Sequence, residues 1–227
     1  DKIDVVIELG GEDAKILFLT GGSEERMNGS CAGGTGAFID QMASLLNVSL
    51  EELDLLSSKH KKIYNIASRC GVFAKSDIQP LLNQGANKTD IAASIYQAVV
   101  DQTIAGLAQG RDIKGKVAFL GGPLTFQKGL QERFVETLEL NSSHAVFPMN
   151  AEYYVAIGAA LYSMNRTGME YDQLVDKLKR AQSMKNIIQS LPPLFESNEQ
   201  YEAFQKRHNK DKVNYIDINT YEGDAYL

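Results

Sequence analysis

Two cysteines are the residues best suited to carry chemistry, because each precedes a predicted helix. Cys31 lies in a glycine loop, residues 28–36 (NGSCAGGTG), that runs into apolar residues at helical spacing. Cys70 is followed by Gly71 and a second helical pattern. A helix N-terminus carries positive partial charge and stabilises an anion. That anion could be a phosphate, a thiolate or an iron–sulfur cluster, and two such helix ends suggest one shared ligand.

The residue types alone leave the role of these cysteines open. Two cysteines are too few for a disulfide framework in a chain of 227 residues. Buried structural thiols, reactive thiols and metal ligands all remain as alternatives. A zinc site is disfavoured, because neither cysteine has a close CxxC partner.

A second possible site is the glycine turn before Asp13. Eight of the 19 glycines fall within the first 36 residues, and Gly10 and Gly11 stand between predicted strands at 2–9 and 15–20. Glycine backbone N–H groups can bind phosphate oxygens, and Asp13 can hold Mg²⁺ or orient water. The alternative is that these glycines only close an antiparallel hairpin. A Walker A motif is excluded, because its GK[ST] ending is absent.

The remaining elements predict an α/β protein with a helical extension. A third strand is expected at 25–28, a capping box at 49–52 and a long helix at 89–110. A strand at 116–120, the pair Gly121-Gly122 and a helix at 127–140 form a layout common in nucleotide sites. A strand at 145–147 and a helix at 151–164 follow, and the small residues of that helix predict close packing against a neighbour. We place the domain at 1–165 and a helical connector at 166–227, with helices at 169–190 and 197–208 and extended chain at 213–227.

Composition narrows the class of protein. The net charge is −6 and apolar residues make up 44% of the chain, which fits a globular protein and argues against nucleic-acid binding. No apolar run reaches the length of a membrane helix, and no secretory signal opens the chain. We therefore expect a cytoplasmic protein with reduced cysteines.

Together these segments resemble the ASKHA nucleotide-binding superfamily (acetate and sugar kinases, DnaK-type chaperones, actin) and, more narrowly, the BadF/BadG/BcrA/BcrD ATPases. Residues 8–13 (ELGGED) resemble that family's second phosphate motif, DIGGQD. Residues 28–38 and 70–76 resemble its two cysteine segments, Gly121-Gly122 falls at its adenosine motif, and 148–162 resemble its closing helix. The fold implied is the actin/DnaK/acetate-kinase-like, ribonuclease H-like one.

The resemblance implies an activator of 2-hydroxyacyl-CoA dehydratases or benzoyl-CoA reductases. In that family, two subunits share one [4Fe–4S] cluster, and ATP hydrolysis drives an electron to the partner enzyme. A cluster of this kind takes four thiolates, which a symmetric homodimer would supply through Cys31 and Cys70 of each chain. By the same resemblance, Asp13 serves Mg²⁺ or the attacking water, with Glu8 as a second catalytic carboxylate. By the resemblance, Gly10 and Gly11 cradle phosphate and Gly121 and Gly122 face adenosine. Three residues of the first cysteine segment, Gly34, Thr35 and Gly36, are further candidate contacts of the nucleotide.

Three departures qualify the match. Glu8 replaces the family's Asp, Glu12 replaces its Gln, and the first phosphate hairpin of the superfamily is missing. The sequence is therefore expected to be the second half of an ATPase domain, from a longer protein with tandem domains. This stretch alone is expected to bind ATP weakly and to be inactive, whereas the complete protein hydrolyses it.

Two other functions remain as alternatives. One is a small-molecule kinase of the same fold, although no sugar- or carboxylate-binding sequence is evident. The other is a non-catalytic scaffold with two buried cysteines, in which alanine substitutions reduce stability and leave partner activation intact.

Overall fold

The computed structural model describes residues 2–29, 33–183 and 191–212. It divides into two compact units, Asp1–Thr167 and Gly168–Leu227. Cys31 lies outside the described residues, as do the predicted helical stretch at 184–190 and the predicted extended chain at 213–227.

A mixed five-stranded sheet forms the centre of the first unit, in the order β3-β2-β1-β4-β5. Strand β1 pairs antiparallel with β2, with Val5 opposite Phe18 and Leu9 opposite Ala14, which confirms the predicted hairpin. Strands β2 and β3 are also antiparallel, whereas β1, β4 and β5 run parallel. The strands are β1 (Val5–Leu9), β2 (Ala14–Phe18), β3 (Glu24–Met27), β4 (Val117–Leu120) and β5 (Ala145–Val146).

Helices surround α4, whose residues are mostly buried. Helix α4 contacts α1, α2, α3 and α6, so that the core continues from the sheet into the helical layer. The helices of this unit are α1 (Gly36–Leu46), α2 (Leu50–Ser57), α3 (Gly71–Asn83), α4 (Lys88–Gln102), α5 (Gly122–Phe126), α6 (Lys128–Thr137) and α7 (Tyr154–Ser163).

The predicted helix at 89–110 is not α-helical throughout. Helix α4 ends at Gln102 and continues as a π-helical segment, Thr103–Ala108. Arg26 of β3 donates hydrogen bonds to the carbonyls of Leu107 and Ala108 at the end of this segment, and the Ala108 carbonyl also accepts from the Arg111 N–H. The π-helical segment has only six residues, which is too short for its wider turn to show in the apolar pattern, so the sequence predicted one continuous helix.

Helix α7 differs from its prediction in packing. The predicted helix at 151–164 starts as a 3₁₀ turn, Ala151–Tyr153, and continues as α7. No residue of α7 is buried, and Val155, Leu161 and Tyr162 are exposed by about 60% or more. The close packing expected from the small residues of α7 is not found among the described residues.

The second unit contains α8 (Tyr171–Ser183) and α9 (Asn198–His208). The Ser197 hydroxyl accepts a hydrogen bond from the Gln200 backbone N–H and so caps α9, and the Phe195 ring packs on Tyr201 and Phe204. Among the helices that the structure describes, none combines the length and apolar character needed to cross a membrane.

Candidate functional site

The glycine turn after β1 and the start of α1 are joined by their backbones. The N–H of Gly36 donates to the Gly10 carbonyl at 3.0 Å, and the N–H of Ala37 donates to the Gly11 carbonyl at 2.7 Å. Two of the first N–H groups of α1 are therefore used by the turn itself. The predicted phosphate turn and the predicted glycine loop thus meet at one point.

The Gly121-Gly122 pair reaches the same point from β4. Gly121 has a φ of +95°, and a β-carbon at this position would collide with the Leu9 carbonyl oxygen at the end of β1. Only glycine permits this combination of dihedral angle and contact. It brings Gly122 to the carboxyl ends of β1 and β4, where ligands of α/β sheets commonly bind.

A cavity of about 390 Å³ lies between these segments. Gly11, Gly36 and Gly122, each predicted as a nucleotide contact, line it. Its lining also includes residues from α1, α2, α5 and the start of α6: Ile39, Asp40, Leu50, Glu51, Pro123, Phe126 and Gln127.

The other predicted contacts are not part of this lining. Gly10 and Gly121 occupy the adjoining backbone positions described above. Gly34 and Thr35 are buried. Gly34 has a φ of +80°, and a β-carbon there would lie 2.9 Å from Cγ of Gln102.

Sequence reasoning missed the cavity walls. Ile39 and Asp40 stand on the helix after the glycine loop, and Glu51 stands inside the predicted capping box. That box is present: the Ser49 hydroxyl accepts from the Glu52 backbone N–H, and the Glu52 carboxylate accepts from the Ser49 N–H. A capping box fixes where α2 begins, but it gives no sign of what α2 faces.

The polar groups of the cavity include two carboxylates, Asp40 and Glu51. Hydrogen bonds from its own backbone N–H and from Ser49 hold the pKa of Glu51 below its ordinary value. An ionised carboxylate accepts hydrogen bonds and does not donate them. This wall therefore suits ligand hydroxyl or amino groups.

Gln127 is held by a buried tyrosine. The Tyr96 hydroxyl of α4 donates a hydrogen bond to Oε1 of Gln127. Burial and the nearby Asp54 carboxylate raise the pKa of Tyr96 above its ordinary value, so that the hydroxyl keeps its proton. Asp54 also accepts a hydrogen bond from the Gly129 N–H at 2.8 Å, which fixes the start of α6 beside Gln127.

Asp13 and Glu8 lie near the glycine turn and outside the cavity lining. Asp13 is exposed, and its carbonyl accepts from the Gly10 N–H at 2.7 Å. Glu8 is buried and forms an ion pair with Lys15 at 3.1 Å. The Asn28 side chain accepts from the Ala14 N–H and donates to the Glu12 carbonyl, so that it ties this turn to the start of the cysteine loop.

Cys70 is the N-cap residue of α3 and is half-buried, as a free thiol. The Ala74 N–H donates to the Cys70 carbonyl, and among the described residues the N–H groups of Gly71, Val72 and Phe73 have no acceptor. The predicted helix start after Cys70 is confirmed. The Cys70 side chain therefore stands at the N-terminus of α3, where partial positive charge favours an anionic ligand.

The segment before Cys70 is held by side chains of α3 and α4. Buried Asp90 accepts from the backbone N–H groups of Lys61 and Lys62 at 2.7 and 3.3 Å. The Ser94 hydroxyl accepts from the Tyr64 N–H, and Asp77 accepts from the Ala67 N–H. These bonds fix the backbone of residues 61–67 and so limit where Cys70 can lie.

The two cysteine segments adjoin through Gly33. A β-carbon on Gly33 would overlap the Arg69 carbonyl oxygen and lie 3.2 Å from the Ser68 carbonyl oxygen. Gly33 and Arg69 each stand within two residues of a cysteine. Within the described ranges, no group of three or more His, Cys, Asp or Glu side chains could hold a metal ion.

Comparison with known proteins identifies relatives of the first unit. The model of the BadF/BadG/BcrA/BcrD ATPase family matches residues 1–163. The (R)-2-hydroxyglutaryl-CoA dehydratase activating ATPase of Acidaminococcus fermentans is 36% identical over 169 residues, which cover 73% of this chain and 62% of that protein. The 2-hydroxyisocaproyl-CoA dehydratase activator of Clostridioides difficile is 31% identical over 163 residues, which cover 70% and 59% of the two chains. The chain thus spans about three fifths of the length of these curated relatives.

Solved structures show the same fold. Component A of the A. fermentans (R)-2-hydroxyglutaryl-CoA dehydratase superposes with a TM-score of 0.63 at 36% identity, covering 71% of this chain and 61% of the other. The C. difficile 2-hydroxyisocaproyl-CoA dehydratase activator, solved with bound ADPNP, gives a TM-score of 0.63 at 28% identity, covering 83% and 66%. The actin-like, mixed α/β fold predicted from the sequence is confirmed.

Proposed function

Because the chain belongs to the BadF/BadG/BcrA/BcrD ATPase family, we propose that the complete protein is an ATP-dependent activator of a cytoplasmic 2-hydroxyacyl-CoA dehydratase or benzoyl-CoA reductase. Its relatives are named as activators of 2-hydroxyglutaryl-CoA and 2-hydroxyisocaproyl-CoA dehydratases. The observation that carries the proposal is that one loop, residues 33–36, borders both the glycine-lined cavity and the segment before Cys70.

The cavity is proposed to bind ATP and ADP. Backbone at Gly11 and Gly36 allows close approach of phosphates, and backbone at Gly122 allows close approach of adenosine, because no side chain stands at these positions. Phe126, which is 65% exposed, offers a ring on which a base can stack. Asp40 and Glu51 are placed to accept hydrogen bonds from ribose hydroxyls. The bound ADPNP of the C. difficile relative supports a nucleotide in this fold.

Asp13 is the residue proposed to act in hydrolysis. It follows the glycine turn directly and is exposed, so that its carboxylate can bind Mg²⁺ or orient the water that attacks the terminal phosphate. Glu8 is assigned a supporting role, because its ion pair with Lys15 already compensates its charge. That pair keeps Glu8 in place behind Gly10.

Cys31 and Cys70 are proposed to hold one [4Fe–4S] cluster together with the same cysteines of a second copy. When bound, the cluster supplies a one-electron carrier that a low-potential donor reduces and the partner enzyme oxidises. Cys70 fits this role, because its thiol is free, half-buried and beside N–H groups that lack acceptors among the described residues. Val72 and Phe73, exposed by 68% and 65% at the same helix end, supply apolar surface for the second copy.

Coupling between the two sites is proposed to run through the shared loop. Gly36 lines the cavity and Gly33 touches the segment before Cys70, and three residues span at most about 11 Å. Gly33 has no side-chain atoms to absorb a displacement. A change in backbone position at Gly36 therefore reaches the Arg69 carbonyl directly.

Anaerobic purification and iron–sulfide reconstitution of the complete protein test the proposal. We expect visible absorption and ATP hydrolysis in the wild type, loss of absorption in Cys70→Ala, and loss of hydrolysis with absorption retained in Asp13→Asn. Ser76→Ala, an exposed substitution on the same helix as Cys70, serves as the matched control. A colourless wild type would contradict the cluster, and phosphorylation of a small molecule would favour a kinase.

A further inference from the structure

Gln127 differs from the other side chains of the cavity lining. It is 6% exposed, and among the described lining residues it is the one whose side chain carries a hydrogen-bond donor. The remaining lining residues are glycines, apolar or aromatic side chains, and two carboxylates. Among the described side chains of this lining, only Gln127 can therefore donate a hydrogen bond to an acceptor atom of a bound ligand.

The hydrogen bond from Tyr96 orients the Gln127 amide, so that its nitrogen rather than its oxygen is available to the cavity. The Tyr96 hydroxyl donates to Oε1 of Gln127, and no acceptor for the Gln127 side-chain nitrogen is found in the part of the chain that the structure describes. Tyr96 is fully buried in α4 and cannot turn toward solvent. With its oxygen occupied, the amide offers N–H groups to the ligand.

The position of the pair favours contact with a nucleotide base. Gln127 follows Phe126 directly, and both the exposed ring and the amide line the cavity. A stacked base presents its edge to groups beside the ring, and purine ring nitrogens such as N3 and N7 are acceptors. The glycine backbones that suit phosphates come from other segments, at Gly11 and Gly36.

We propose that Gln127, oriented by Tyr96, recognises the nucleotide base by donating a hydrogen bond to a ring nitrogen. This inference rests on the proposed nucleotide-binding function and adds a specificity residue to it. Tyr96 acts as a positioning residue, because it reaches the ligand only through Gln127.

Calorimetric titration of the complete protein with ADP tests the proposal. Gln127→Leu removes the donor and is expected to weaken binding about tenfold. Gln127→Glu keeps an oxygen for Tyr96 but replaces the donor by an acceptor, and it should weaken binding at least as much. Gln131→Leu is the matched control: Gln131 is likewise buried, but it bonds the Leu124 carbonyl and does not line this cavity, so ADP affinity should stay within about twofold.

Titration with 1-deaza-, 3-deaza- and 7-deaza-ADP identifies the atom that is recognised. One analogue should bind the wild type about tenfold more weakly than ADP and should be insensitive to Gln127→Leu. Tyr96→Phe frees the amide to rotate and should weaken ADP binding several-fold in a variant whose circular dichroism shows a folded protein.

Three results would overturn the inference. Wild-type ADP affinity in Gln127→Glu would mean that the amide oxygen faces the ligand. If Gln127→Leu weakened the binding of all three analogues equally, the amide would not donate a hydrogen bond to a ring nitrogen of the base. Absence of ADP binding by the wild type would remove the proposed function as well, which separates that failure from the other two.

Discussion

Gly33 lies directly against the carbonyl of Arg69, with no room for a β-carbon between them. This contact joins the two cysteine segments, because Gly33 follows Cys31 and Arg69 precedes Cys70. The same loop reaches the glycine-lined cavity at Gly36. The proposed nucleotide site and the proposed thiol site thus lie on adjacent stretches of one backbone.

Substitution of Gly33 by alanine should disturb the cysteine segments. The added β-carbon has to displace backbone, which cannot move as easily as the end of a flexible side chain. We expect the free energy of unfolding to fall by about 1–3 kcal/mol and iron content after reconstitution to fall with it. Urea titration and iron analysis measure the two effects.

Gly29→Ala is the control for this substitution. A β-carbon at Gly29 meets nothing within 4 Å, so stability and iron content should match the wild type. Equal behaviour of the two alanine variants would show that the contact between Gly33 and Arg69 does not position the cysteines.

Asp90 should make stability depend on acid pH. Hydrogen bonds, first from the Lys61 backbone N–H, hold the pKa of Asp90 below its ordinary value in the folded protein. A lowered folded pKa stabilises the protein above the unfolded pKa of about 4, and the gain is lost as pH falls toward the folded pKa. Asp90→Ala should cost about 1–3 kcal/mol at neutral pH, because two backbone donors lose their acceptor.

Urea midpoints measured between neutral pH and about pH 3 check this expectation. The difference between the wild type and Asp90→Ala should shrink as the pH falls below about 4. A difference that stays constant over this range would show that the Asp90 charge does not contribute.

The Glu8–Lys15 ion pair should contribute less net stability than the destabilisation measured when Lys15 alone is removed. Lys15→Met leaves a carboxylate that is 8% exposed without its cation, and should cost about 1–3 kcal/mol. The double variant Glu8→Gln, Lys15→Met should recover part of that loss, because no uncompensated charge remains. Denaturation of the four proteins in a double-mutant cycle gives both values, and additive losses would exclude coupling.

Substitution of two equally exposed phenylalanines should distinguish the proposed nucleotide cavity from the proposed dimer surface. Phe126 lines the cavity, Phe73 stands near Cys70 in the first turn of α3, and each is 65% exposed. Phe126→Ala should weaken ADP binding by about tenfold or more through lost stacking and leave the dimer intact. Phe73→Ala should weaken the dimer and leave ADP affinity unchanged.

Calorimetry with ADP and sedimentation of both variants measure these effects. The reverse pattern, or a loss of ADP affinity in both variants, would contradict the assignment of the two surfaces.

Local signals predicted much of the fold. The hairpin around Gly10-Gly11, the capping box at Ser49 and the helix that starts after Cys70 each depend on residues adjacent in sequence, and each is confirmed. The short helix α5, Gly122–Phe126, was not predicted. A glycine pair followed by Pro123 is typical of a turn, yet Pro123 also suits the first turn of a helix.

Long-range contacts explain what the sequence did not show. The contact between Tyr96 and Gln127 spans 31 positions, and Gly34 packs against Gln102 from a distant segment, so no local pattern predicts either. The glycine loop predicted Gly36 as a nucleotide contact. Asp40 on the following helix was not predicted, because its place in the cavity lining depends on how α1 packs against its neighbours.

The π-helical segment after α4 is another feature that involves a long-range contact and was not predicted from the sequence. Its carbonyls at Leu107 and Ala108 accept hydrogen bonds from Arg26, which belongs to β3 at the edge of the sheet. A pattern of apolar residues within one helix carries no information about a partner on a distant strand.

The most direct test of the account is the iron and oligomer content of the complete, anaerobically reconstituted protein. We expect one cluster of four irons per two chains, with Cys31→Ala and Cys70→Ala each giving colourless protein that still binds ADP. Iron analysis and visible absorption measure the cluster, and sedimentation of the same sample measures the oligomeric state. A colourless monomer in the wild type, or full iron content in Cys70→Ala, would contradict it.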